Sequence, residues 1–161
     1  MARSIEYGAG MVFLFLLAYC SGAIQAQEGK AAPSALSPEA TVTRYLEALK
    51  AGDFPTAYDY ISTAMAQHKS REAWAKEQQW TMQMSDAKIF DFHVSPGKTD
   101  GTIAHVPDIL SSQDKFLNQL GVPEHELYTL IREDGRWKID QQQLLEKSEQ
   151  AKWFPSPAQE Q

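Results

Sequence analysis

Tyr45, and a group of acids and imidazoles on a later strand, are the side chains here whose types and spacing could do chemistry. Tyr45 lies in the run Arg44-Tyr45-Leu46-Glu47-Ala48-Leu49-Lys50-Ala51-Gly52-Asp53. A phenol buried in an apolar pocket could donate a hydrogen bond to a developing oxyanion. Its plainer role is that of a core aromatic on an amphipathic helix. Asp91 and His93 fall on one face of the alternating segment Lys88 to Val94. His105 would stand almost opposite His93 if the hairpin between them were centred near Thr99. Together the three could form an acid–base set or a weak metal site, but a solvated sheet face is the plainer reading. No HxH or HExxH pattern supports a metal, so neither metal nor cofactor is assigned. Tyr45, Tyr58, Trp74, Phe90 and Phe92, with His93, are instead candidates for the wall of a binding pocket. Each aromatic also serves as a large core filler. No GxSxG elbow, GxGxxG or Walker pattern is present, which leaves nucleophilic hydrolysis and nucleotide binding without a motif.

These residues need a core to position them. The chain has 161 residues, 43% of them hydrophobic and 11% aromatic, enough to pack one domain. The formal charge of −6 argues against a phosphate-coating surface, so no nucleic-acid partner is expected. The one cysteine, Cys20, cannot make an internal disulfide, a zinc cluster or a CxxC pair. It lies in Met11 to Cys20 (MVFLFLLAYC), inside a stretch from Gly8 to Gln27 without charge. Residues 1–26 are expected to be a signal peptide, cleaved after Ala23 or Ala26, or a retained anchor. The run Leu17-Ala18-Tyr19-Cys20-Ser21 is similar to a lipobox, with Tyr19 where a small residue belongs, which gives Cys20 a weak claim to lipidation. Each route puts the domain outside the cytoplasm, periplasmic or secreted. Residues 27–36 have the small, polar composition of a flexible leader.

The folded part is expected to span residues 37–145, with 146–161 as a C-terminal tail. Ser37-Pro38-Glu39 starts a helix, Val42, Tyr45, Leu46 and Leu49 form its apolar face, and Gly52 stops it. Asp53-Phe54-Pro55 opens a second helix and Ser70 a third, with Trp74 and Trp80 inward. From Lys88 the period becomes two, placing Phe90, Phe92 and Val94 on one face and Ile89, Asp91 and His93 on the other. A second strand is predicted over Thr102 to Val106 and an irregular excursion over Ile109 to Val122. A hairpin follows, Leu127 to Arg132 with Trp137 to Asp140, around the Asp134-Gly135 turn. Gln141 to Lys152 reads as a last helix. Helices first and an antiparallel meander after them make an α+β domain with helices on one sheet face.

Two stretches of this order resemble the NTF2-like (cystatin-like α+β cone) superfamily. One is Pro38-Glu39-Ala40 through Arg44 to Asp53 with Ala57-Tyr58, similar to the family's opening helical corner. The other is Tyr128 to Asp140, containing Glu133-Asp134-Gly135-Arg136-Trp137-Lys138-Ile139, similar to its closing hairpin. The resemblance implies N-terminal helices packed on a curved antiparallel sheet, an apolar cavity in the cone, and frequent dimerisation through the sheet. It is nearest to small exported bacterial members of unknown function. The helix of Tyr45 also looks like the ketosteroid isomerase helix bearing an oxyanion-hole tyrosine. In the region Thr63 to Trp80, where those enzymes place their base, no carboxylate can be matched. The expected function is therefore an exported, non-catalytic module binding a small apolar ligand or a protein partner. The alternatives are a membrane-held assembly component, and a small acid–base enzyme using Tyr45 with Asp91 or His93.

Overall fold

The computed structural model describes residues 36–154; the expected export segment, Cys20 and nearly all of the leader lie outside them. Helix α1 runs Pro38–Ala51, with the Ser37 side chain accepting from the Ala40 amide and Gly52 closing it at φ 71°. Asp53 caps the short α2, Phe54–Ala57, which continues as a 3-10 turn over Tyr58–Tyr60. Helix α3, Arg71–Ser85, starts at Ser70 and stops at Asp86 in a left-handed conformation. Five strands follow: β1 Lys88–Val94, β2 Lys98–Thr99, β3 Ile103–Gln113, β4 Glu124–Glu133 and β5 Arg136–Leu144. A last helix, α4, spans Lys147–Trp153.

The sheet is antiparallel and open, ordered β1-β3-β4-β5, with β2 beside β3 on the same edge as β1. Helix α1 lies on its inner face, with α2 against α1 and α3 against α2 and the 3-10 turn. Val42, Tyr45, Leu46 and Ala48 of α1 bury there against Ala104, Val106, Tyr128, Leu130 and Ile139 of the sheet. The helical corner is stitched to β5, where the Ser62 amide donates to the Ile139 carbonyl at 2.7 Å.

Several features differ from the sequence expectation, most of them for a local reason. The ladder between β1 and β3 slips between Ile89 and Asp91. This bulge adds one residue and reverses the alternation behind it, so Ile89 packs on the core while Phe90 is 51% exposed. Phe90 therefore does not share the inner face of Phe92 and Val94.

The first hairpin turns around Gly101, not Thr99. Asp100 accepts from the Thr102 amide, the Thr102 hydroxyl and the Ile103 amide, each at 2.8 Å, and Gly101 takes φ 96°. His93 consequently faces Ile109, and His105 faces Lys98 and Thr129. The two imidazoles are not opposite one another.

Strand β3 runs through Pro107 to Gln113, well into the predicted excursion. Both backbone polar groups of a residue in an antiparallel strand point to the same neighbour. The Pro107 carbonyl accepts from Ser95, so its missing N–H falls at the interruption between β1 and β2, where no ladder partner is needed. Strand β5 likewise continues through Gln141, Gln142 and Gln143, because pairing with Thr129, Tyr128 and Leu127 outweighs their helical propensity. The last helix is correspondingly shorter. Trp80, expected inward, is exposed.

Candidate functional site

The inner positions of β3 and β4 form facing pairs: Ala104 with Leu130, Val106 with Tyr128, Asp108 with Glu126 and Leu110 with Glu124. The first two are ordinary core. The third is not, because it sets two carboxyls side by side with Asp108 at 0% and Glu126 at 4% exposure. Directly opposed residues of like charge destabilise a sheet, and burial magnifies the effect.

The two acids are treated differently by their surroundings. Glu126 receives the Tyr128 hydroxyl on one oxygen at 2.7 Å and the Gln142 side-chain amide on the other at 3.0 Å. Asp108 meets no side-chain donor on either oxygen among the described residues, and only the backbone amides of His93 and Ile109 lie near it. Its carboxyl is pushed up to about 7, chiefly by burial and then by the Glu126 charge. The backbone amides of His93 and Ile109 oppose this only partly. Glu126 is raised by burial too, while its two donors pull it back. The Tyr128 hydroxyl is pushed well above its ordinary range, by burial first and the neighbouring Glu126 second.

Tyr45 reaches this pair from α1. Its ring meets that of Tyr128 edge-on, with centroids 6.2 Å apart and planes at 72°. Burial, and then the Glu126 charge, keep its phenol protonated far above neutrality. A phenol so held donates hydrogen bonds and does not act as a base. Val94 of β1 stands opposite Asp108, and Phe92 opposite Leu110. The ion pairs of the described residues, Arg44–Glu47, Lys50–Asp91, Lys69–Glu77, Arg71–Asp59 and Lys88–Asp86, lie at the surface and involve neither buried acid. Among the described residues no group of three or more His, Cys, Asp or Glu could hold a metal ion.

The other residues singled out from sequence lie apart from this cluster. The Tyr58 hydroxyl donates to the Lys69 carbonyl at 2.8 Å, and its ring packs on Trp74 with centroids 5.9 Å apart. That pair ties the 3-10 turn to α3. Asp91 and His93 are exposed and belong to the sheet's outer face, so neither can serve Tyr45 as a base. His105 is on that outer face as well, bonded to the Thr129 hydroxyl at 3.2 Å and packed against Trp153 of α4. His125 packs against Phe154 in the same way.

Asp108, Glu126, Tyr128 and Gln142 were not among the candidates from sequence. The available signal was alternation: Val106, Asp108 and Leu110 share one phase, as do Glu126, Tyr128 and Leu130. Both acids fall just outside the predicted strands, beyond the residues over which that phase is defined.

No protein-family model matches the chain, and no curated protein does. The solved structures similar to it include two that share its overall fold. One is a SEC-C motif containing protein from Rhodopseudomonas palustris, at 14% identity over 68% of this chain and 80% of that one, with a TM-score of 0.53. The other, from Nostoc punctiforme, is a domain of unknown function with a cystatin-like fold, at 13% identity over 70% and 78%, with a TM-score of 0.51. At such identities a likeness speaks to fold and not to activity. Helices leading into an open, bulged antiparallel sheet, with these two likenesses, give this chain the NTF2-like, cystatin-like cone fold.

Proposed function

We propose that this protein is a binding module that takes a small molecule into its cone, between α1 and the inner face of β3 and β4. The observation that carries this reading is the Asp108 carboxyl, fully buried with no side-chain donor on either oxygen among the described residues. A residue needed only for packing would be apolar at this position, because an unpartnered buried acid is among the costliest choices a core can make. Perturbed, unsatisfied acids of this kind concentrate at sites of function. The resemblance to a family that keeps a cavity in its cone supports the same view. A module that only scaffolded other proteins would have no use for the pair, which weighs against the assembly reading.

The test is a titration of the isotopically labelled protein with a panel of small neutral apolar molecules, followed by amide NMR. Shifts are expected in Val106 to Leu110 and Glu126 to Tyr128. If every responding compound moved only amides of the outer sheet face, the reading would fail.

A second reading, proton-transfer catalysis, is favoured by the same acid standing near neutrality in a cluster with a protonated Tyr45. Asp108 would be the proton carrier and Tyr45 the hydrogen-bond donor. Turnover of an enolisable ketone that vanishes in both Asp108→Asn and Tyr45→Phe would establish it; no turnover by the wild type would exclude it.

Export is part of the proposal and rests on the apolar, uncharged segment Gly8 to Gln27. Mass spectrometry of the protein from its native envelope tests it. A terminus near Ile24 or Gln27 supports cleavage, an intact Met1 an anchor, and a diacylglyceryl Cys20 a lipoprotein. Recovery from the cytoplasm alone would overturn it.

A further inference from the structure

The inference concerns what the cone binds, and it rests on the binding reading above. We infer that the ligand is cationic: a small molecule with a protonated amine head, held jointly by Asp108 and Glu126 with its apolar body against the aromatic side chains beside them.

The donor and acceptor inventory points this way. Glu126 already has a donor on each oxygen, from Tyr128 and Gln142. Those donors hold it as an acceptor, the role of the ionised form. No side-chain donor among the described residues meets Asp108 beside it, and only the backbone amides of His93 and Ile109 lie near, although a carboxylate can accept up to about four hydrogen bonds. What is missing at this place is therefore a group rich in N–H donors and carrying positive charge. Among the described residues none supplies one, since none of their ion pairs reaches either acid.

The groups facing the pair fit the same occupant. From α1 comes the ring of Tyr45, from β4 that of Tyr128, from β1 Val94 and Phe92, and from β5 Gln142 and Leu144. Glu124, the next inner residue of β4, adds negative charge and bonds to the Ser112 hydroxyl at 3.1 Å. Carboxylates with aromatic faces close by are the environment in which ammonium groups are recognised. An anionic ligand would meet only repulsion. A neutral apolar one would leave both Asp108 oxygens as they are, buried and without a side-chain donor.

Without a ligand the pair relieves its repulsion by holding a proton on Asp108. An amine must displace that proton to bind. Its apparent affinity therefore rises with pH, by up to about tenfold per unit, until Asp108 is ionised, and is flat above that point. Of the groups facing the pair, Tyr45 and Tyr128 stay protonated throughout, Glu126 is an acid whose ionisation works in the same direction, and Glu124 is the next carboxyl along β4.

The experiment compares benzylamine, benzyl alcohol and benzoate by calorimetric titration of the purified full chain at pH 5.5 and 8. Benzylamine is expected to bind about tenfold or more tighter than benzyl alcohol at pH 8. That preference should shrink severalfold at pH 5.5, and benzoate should bind weakest. In Asp108→Asn the amine and the alcohol are expected to bind alike. The wild-type pH profile decides the question should that variant fail to fold. Equal binding of amine and alcohol at pH 8, or a preference that survives Asp108→Asn, overturns the cationic assignment but leaves the cone as a binding site. Failure of these probes and of the neutral panel alike would remove both.

Discussion

Asp108 and Glu126 stand directly opposite one another on β3 and β4, both buried, with the Tyr128 and Gln142 side-chain donors both spent on Glu126. A sheet alone would not select this arrangement. Facing like charges oppose strand pairing, and the interior offers no water to screen them. The pair is held because flanking residues over-determine it. Val106, Tyr128 and Leu130 are fully buried on one side, and Leu110 closes the row on the other.

Stability should fall as pH rises through the range set by Asp108. Between about pH 4 and 7 the unfolded chain has already ionised this carboxyl, whereas the folded chain has not. The folded state then binds more protons, and stability decreases with pH until the folded group has titrated. A carboxyl at about 7 against its ordinary 3.8, at roughly 1.4 kcal/mol per pH unit, sets a ceiling of about 4 kcal/mol. Asp108→Asn removes the effect. Urea unfolding at pH 5 and pH 8 is expected to show the variant gaining about 2 kcal/mol on the wild type at the higher pH. Parallel pH profiles for the two proteins would contradict the assignment.

Tyr128→Phe deletes a donor to Glu126 and leaves the ring in place. One buried charge-assisted bond is lost, so a destabilisation of about 1–3 kcal/mol is expected near neutral pH. It should lessen as the pH falls and Glu126, raised by burial, takes a proton in compensation. Gln142→Ala removes the other donor from an exposed residue and should cost less. Chemical denaturation of both variants at the two pH values checks the order.

The bulge in β1 makes a sharp comparison between two neighbouring phenylalanines. Phe92 packs against the core, while Phe90 is turned outward. Phe92→Ala should destabilise by about 2–4 kcal/mol through lost burial and the space left behind. Phe90→Ala should stay within about 0.5 kcal/mol. Equal losses in thermal or urea unfolding would mean that the alternation runs unbroken.

Gly97 is required for a close approach and not for its backbone angle. A Cβ there would lie 2.8 Å from the His105 carbonyl oxygen, 3.0 Å from Val106 Cγ2 and 3.1 Å from Glu39 Oε1. The Gly97 amide also donates to Glu39 at 3.0 Å, which ties the first turn of α1 to the edge of the sheet. Gly97→Ala is expected to cost about 1–3 kcal/mol, with faster amide exchange at Lys98 and Thr99. Wild-type stability in that variant would show that the edge gives way freely.

Local chemistry determined much of this protein from its sequence. Ser37-Pro38, Gly52, Asp53-Phe54-Pro55 and Ser70 act within one helical turn, so the helix starts and the first stop could be read directly. Asp134-Gly135 likewise sets its hairpin, because both residues take positive φ, 50° and 76°, in the turn. Tyr45 was identifiable because the phase of a capped helix is unambiguous.

Strand phase is another matter. One bulge moved Phe90 to the outer face, and a turn centred on Gly101 separated His93 from His105. Both effects depend on which residue of β3 each residue of β1 meets, a relation set over distances of up to 25 positions, as with Lys88 and Gln113. The site depends on such relations entirely. Asp108 and Glu126 each look, in isolation, like an acid near the edge of a short strand. Only the pairing of β3 with β4 beneath α1 puts them together out of water, and burial beside a second carboxyl is what gives Asp108 its chemistry.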